Sequence, residues 1–236
     1  MRMSSILAMA LLTPSLLAIA PARAARPFVT DDARLTTAGS CQLESWVRAY
    51  RQSNELWALP ACNPWGNLEL TFGGGLAHAG HADSTNDYVL QLKTLARPLR
   101  TNDWGIGFAI GTIRHPQVNP GPNLLGNTYA YIPFSASFAD DLLVVHANVG
   151  WLRDKATNSQ QMTWGLGSEI NLNPRWTLVA ESFGSDNGNA WWQTGARYHL
   201  KPGLWQLDST VGRQYGGTSD TQWLSFGLRF TPDSLF

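Results

Sequence analysis

A chain of 236 residues with 17 basic and 17 acidic side chains, and only 14% charged residues, lacks the basic excess that nucleic-acid binding requires. Its length and its 22 glycines, 11 tryptophans and 6 tyrosines suit one large β domain. Two cysteines exclude a dense disulfide scaffold and a thiolate metal cluster.

Met1-Arg2 supplies a positive start, Ile6 to Ala20 an apolar stretch interrupted at Thr13 to Ser15, and Ala22-Arg23-Ala24 a small-x-small cleavage pattern. These features predict a signal peptide over residues 1–24, cleaved after Ala24. The stretch contains Pro14 and is shorter than the roughly 20 apolar residues a helical anchor needs. Losing Arg2 and Arg23 lowers the 17 basic residues to 15 against 17 acidic ones. Residues 25–39 are polar and carry Asp31, Asp32 and Arg34. Two placements fit them: folded into a lumen as a plug, or a periplasmic tail.

From about residue 40 to the C-terminus, segments of roughly ten residues alternate apolar with polar or small side chains, the period of strands with two different faces. Leu68, Leu70 and Phe72 oppose Glu69, Thr71, Gly73 and Gly75; Tyr88, Leu90 and Leu92 oppose Gln91, Lys93 and Arg97. Trp104, Ile106, Phe108 and Ile110 oppose Gly105, Gly107 and Gly111, and Met162, Trp164, Leu166 and Ile170 oppose Thr163, Gly165, Gly167 and Glu169. The last segment is the cleanest, with Leu224, Phe226, Leu228 and Phe230 against Ser225, Gly227 and Arg229. Asn127 to Ala139 is less regular, because Pro133 among its residues predicts a bulge or a strand end.

This reading gives twelve strands, at 40–51, 54–62, 66–78, 86–98, 103–115, 126–139, 141–152, 160–172, 175–184, 190–200, 203–214 and 220–230. Longer connections at 79–85, 116–125, 153–159, 185–189 and 215–219 alternate with short ones marked by Pro, Asn or Asp. The turn near Gln52-Ser53 is short on the side of the long loops. An even strand number and alternating loop lengths predict an all-β, antiparallel up-and-down transmembrane barrel over 40–236 in a Gram-negative outer membrane, with both termini periplasmic. Trp57, Trp65, Trp104, Trp151, Trp176, Trp191, Trp192, Trp205 and Trp223 fall near strand ends, where aromatic girdles sit. Phe236 ends the chain in the aromatic residue expected by the outer-membrane assembly machinery, although Thr231-Pro232-Asp233-Ser234 separates it from the alternation, as a tail or past a bulge.

Cys41 and Cys62 fall near each other across the first hairpin, and an oxidising periplasm makes a disulfide the expectation. With apolar faces toward lipid, the lumen receives Glu44, Arg48, Glu69, Lys93, Arg97, Glu169, Glu181, Arg197, Asp208 and Arg229. The signs balance, which disfavours a basic channel for acidic solutes and suits a mutually paired interior. Gly73, Gly75, Gly105, Gly107, Gly111, Gly165, Gly167, Gly212 and Gly227 share that face and either leave space or permit strong bending.

The mature start Arg26-Pro27-Phe28-Val29-Thr30-Asp31-Asp32, followed by Gly39 and Gln42-Leu43-Glu44, resembles the family of meta-pathway phenol-degradation outer-membrane proteins. The resemblance covers residues 26–45 and implies an outer-membrane barrel that moves hydrophobic or aromatic compounds. Cys41 and Cys62 lie outside the general family pattern.

No Gly-x-Ser-x-Gly elbow is present, and His146 and His199 sit in no serine-containing signature. His78 and His81 have no third ligand nearby, so no metal site or cofactor is expected. The leading expectation is a non-enzymatic channel, bedded in outer-membrane lipid, for passive passage of small neutral or hydrophobic solutes, aromatic ones included. The second is a closed structural or surface-interaction barrel, and the third an outer-membrane lipid hydrolase.

Overall fold

The computed structural model describes residues 28–79, 84–114 and 126–235. The proposed signal peptide with its cleavage point, His81, the whole loop at 116–125 and Phe236 lie outside them. Twelve strands form in sequence order: β1 (Ser40–Tyr50), β2 (Ser53–Asn63), β3 (Glu69–Ala79), β4 (Thr85–Arg97), β5 (Trp104–Arg114), β6 (Asn127–Phe138), β7 (Leu143–Arg153), β8 (Gln160–Asn171), β9 (Trp176–Ser185), β10 (Trp191–Lys201), β11 (Trp205–Gln214) and β12 (Trp223–Phe230). Each pairs with its chain neighbours, and β1 pairs antiparallel with β12, so the sheet closes into a barrel with no free edge.

The alternation fixes the faces. Outward residues such as Phe72, Leu90, Ile110, Val149, Leu166 and Phe226 are exposed, whereas inward Glu69, Lys93, Glu169, Arg197 and Arg229 are buried. A polar interior beneath an apolar exterior is the reverse of a soluble barrel and the arrangement of a membrane one. Trp104, Trp176 and Trp205 face outward at the end that carries the short turns, packed against Phe134, Tyr198 and Phe230. Trp57, Trp191 and Trp223 depart from the girdle expectation. The pleat turns them inward, and Trp223 is almost fully buried.

The prolines differ from expectation in an informative way. Pro133 neither ends β6 nor bulges it, since Phe134 still faces Ile106 and Tyr131 still faces Ala109 in one register. Only the ladder contacts between those pairs are missing, because proline has no N–H to give. Pro60 leaves the same kind of gap against β3, between Ala58↔Gly74 and Ala61↔Thr71. Residues 219–221 form a 3₁₀ turn rather than the start of the last strand, with Thr221 N–H bonded to Thr218 O and Gln222 N–H to Ser219 O. Beyond Phe230 the chain is a tail, tied by Thr231 N–H to Leu204 O and by Leu235 N–H to Gly39 O.

Cys41 and Cys62 are register partners across β1 and β2 and form a disulfide. One predicted inner-face residue is misplaced by simple alternation. A register shift between Leu95 and Arg97 turns Arg97 outward, opposite Ile106, where its guanidinium lies 4.1 Å above the Trp104 ring and bonds both Asp103 carboxylate oxygens at 2.6 Å. That bonding holds the Asp103 carboxyl, in the turn before β5, below the usual carboxylate range. A depressed folded value means that the pair's contribution is complete at neutral pH and disappears as the pH falls through that value, below about 4. The urea midpoint of Asp103→Asn should therefore lie slightly below wild type at pH 7 and converge with it near pH 3.

Candidate functional site

The barrel encloses its own N-terminal segment. Residues 28–39 run inside the wall, and the backbone of this irregular stretch is met largely by wall side chains, as buried peptide groups require. Glu181 on β9 accepts from Val29 N–H at 2.7 Å and Thr30 N–H at 2.8 Å, and Gln193 on β10 bonds the same carboxylate. Asn148 on β7, with its amide turned to suit both groups, accepts from Asp31 N–H at 2.7 Å and donates to Asp31 O at 2.9 Å. Ser135 on β6 accepts from Ala33 N–H at 2.9 Å, and Glu69 on β3 from Thr36 N–H at 2.6 Å. Asn63 donates to Thr36 O at 2.7 Å.

Charge pairing reinforces this. Lys93 on β4 lies 2.7 Å from Asp31 and 3.6 Å from Asp32, while Tyr131 donates to Asp31 at 2.7 Å. Arg34 reaches Asp32 at 3.2 Å and Glu169 on β8 at 3.4 Å, and Glu169 is also held by Arg197 at 2.8 Å. Apolar contacts complete the fit: Ala33 and Leu35 cluster with Leu95 and Leu99, and Phe28 packs on Val179. Of the inner glycines beneath the segment, Gly165 makes room for it and Gly167 lies at ordinary contact distance. A Cβ on Gly165 would come within 2.4 Å of Thr30 Oγ1, and one on Gly167 within 3.5 Å of the Phe28 ring.

Of the ten inner-face residues expected from sequence, the wall and segment thus bring together Glu69, Lys93, Glu169, Glu181 and Arg197. Asp208 and Arg229 are buried on the inner faces of β11 and β12. Glu44 lines a cavity of about 160 Å³ between the segment and the β1–β4 wall, and Arg48 pairs with Glu55 at 3.8 Å and lies over the Trp223 ring. Arg97 is not among them. Glu55 and Asp87 join the inner face from β2 and β4, and Asp31, Asp32 and Arg34 come from the segment, so among the described residues acidic groups outnumber basic ones there and the expected balance of sign does not hold.

Sequence reasoning missed the neutral polar partners Ser135, Tyr131 and Asn148, and Gln193, which braces Glu181. Strand parity placed them inward, but nothing in one-dimensional spacing tied them to residues 28–36. The structure also joins Ser135 Oγ to His146 Nδ1 at 2.8 Å, with His146 Nε2 3.6 Å from Glu169. All three side chains are buried beneath the segment, and Ser135 accepts the Ala33 amide, so this relay positions the segment. His199 is buried within 3.5 Å of Thr177 Oγ1, and His78 Nδ1 lies 3.0 Å from Ser84 Oγ.

Glu181→Ala removes two charge-assisted bonds to the segment, each of order 1.5–3 kcal/mol. Amide exchange at Val29 and Thr30 should accelerate by about tenfold or more, with little change at the β9–β10 ladder, as read by hydrogen–deuterium exchange mass spectrometry.

Comparison with known proteins adds a family and a fold. Residues 12–231 match the model of a family described as uncharacterised conserved protein UCP029691. This is not the meta-pathway phenol-degradation family that residues 26–45 resemble; of that resemblance, the barrel it implies stands on the fold. No curated protein matches the sequence. Among solved structures, the fold is similar to a KdgM porin at 10% identity and TM-score 0.64, covering 81% of this chain and 99% of that one. A NanC porin follows at 10% identity and TM-score 0.56, covering 81% and 98%. The outer membrane protein Omp33 of Acinetobacter baumannii is similar at 9% identity and TM-score 0.50, covering 82% and 98%. A KdgM porin has also been solved in complex with disordered oligogalacturonate.

Proposed function

The chain belongs to the family of uncharacterised conserved protein UCP029691, and we propose that it is an outer-membrane channel whose lumen is narrowed by its own residues 28–39. The observation that carries this reading is a closed barrel with a polar inner face that still holds a cavity of about 160 Å³ beside the segment. A purely structural barrel would be expected to fill that space with paired side chains. The short-turn end, which carries both ends of the barrel sequence, is the periplasmic one in this reading, and the outward apolar band lies in lipid.

Passage is passive and restricted to small solutes without strong charge. An excess of carboxylates on the inner face opposes anions, and the similarity to a porin solved with oligogalacturonate therefore extends to architecture more readily than to cargo. Neutral or hydrophobic compounds, aromatic ones included, meet no such barrier.

The density of bonds to residues 28–36 favours a second reading, in which the segment seals the barrel and the external loops carry the function. Planar-bilayer recording separates the two. The channel reading predicts small discrete openings in the full chain and a several-fold larger conductance after deletion of residues 28–39. Silence of the full chain across a range of voltages, with current appearing only after the deletion, would leave the sealed barrel.

A further inference from the structure

The inner-face glycines have a purpose that bending does not explain. A Cβ on Gly75 would lie 2.5–2.7 Å from three atoms of the Trp57 ring system, and one on Gly212 would lie 2.2 Å from Trp223 Cζ2. Gly111 stands in the same relation to the Tyr129 hydroxyl. Glycine at these points lets each aromatic side chain lie close against the wall, where any larger residue would force it toward the barrel axis.

The rings differ in what covers them. Trp223 is buried under Tyr50, Trp191 and Arg48. Trp57 is half-buried, and Trp46, its register partner on β1, lies nearly parallel to it at 13° with centroids 5.8 Å apart. The cavity of about 160 Å³ lies one step further along the same two strands. Two of its lining residues, Glu44 and Leu59, stand two positions along the same faces from Trp46 and Trp57, a rise of about 7 Å toward the short-turn end. The chamber is lined by groups of both signs and by amides: Glu44, Glu69, Lys93, Gln42 and Gln91.

We propose that the Trp46–Trp57 pair and the chamber beside it form a binding site for one neutral, polyhydroxylated ring, a solute of monosaccharide size. This names the substrate class of the channel proposed above and rests on that reading. An indole face carries partial negative charge and attracts the weakly positive C–H face of a sugar ring. The hydroxyls at the ring's edge both donate and accept, which suits a chamber that offers carboxylates and an ammonium together. A mainly aromatic solute such as phenol meets no charge repulsion and can pass, but it desolvates those groups and returns few hydrogen bonds, so it is not held. An anion would meet Glu44 and Glu69, and an organic cation would meet Lys93 and Arg34. The volume is below the roughly 300 Å³ at which drug-sized pockets begin, so one ring fits and an oligomer does not.

The test is single-channel recording on the full-length protein with D-glucose, D-glucuronate, choline or phenol added at equal concentration. Glucose should block the current in a concentration-dependent way, and the other three should not compete with it. Trp46→Ala combined with Trp57→Ala should raise the half-blocking concentration about tenfold, the effect of losing two stacking faces. Gly75→Ala, which displaces the Trp57 ring without removing it, should move it in the same direction, and Trp57→Phe should largely restore block. Normal conductance with no glucose block, block unaltered in these variants, or stronger block by glucuronate, choline or phenol would each overturn the site while leaving the channel intact. If wild type and the 28–39 deletion both fail to conduct, the channel reading falls, and calorimetry decides the site. Glucose binding that weakens in the tryptophan variants upholds it, and no heat of binding rejects it.

Discussion

Three inward carboxylates, Glu69, Glu169 and Glu181, are buried behind a wall whose outer face is apolar, and each accepts a hydrogen bond from residues 28–36. A closed sheet satisfies its own backbone, but it leaves an interior of charged side chains shielded from bulk water. Such groups are costly unless paired. The segment supplies amide donors and Arg34 to those carboxylates, and Asp31 and Asp32 to Lys93. Wall and segment are therefore one polar network, and removing either would strand charges in the other.

This network also sets where the lumen stays open. Residues 28–34 contact β6 to β9 through Ser135, His146, Asn148, Glu169 and Glu181, with Lys93 reaching across from β4. The free volume is left against β1 to β4, on the short-turn side of Trp46 and Trp57. Gly165 on one side admits the segment, and Gly75 on the other admits an indole. The same residue type thus serves two ends, packing a plug closely and keeping a flat face available.

The twelve strands, the sidedness of each and the disulfide were legible in the sequence because a period of two is written in every strand and each face has its own solvent. The errors came where one residue breaks that period or where local pattern is silent. A single bulge turned Arg97 from lumen to exterior. Parity alone, and not proximity to a strand end, decides whether Trp57, Trp191 and Trp223 join a girdle or the lumen. Residues 28–39 were open between plug and tail because their polarity suits water as well as a charged interior. Their side-chain partners in the wall stand 27 to 152 positions away in the chain, Glu181 farthest, beyond anything spacing can report.

The central claim is that residues 28–39 reside inside the barrel, and cysteine trapping tests it most directly. The ideal Cβ at Gly165 lies 3.2 Å from Thr30 Cβ, close to the separation a disulfide requires. Thr30→Cys combined with Gly165→Cys, expressed in outer membranes and treated with a mild oxidant, should yield a linked peptide by mass spectrometry in most molecules. Two thiols that stay free to alkylate, with no linked peptide, would place the segment outside the lumen and contradict the account.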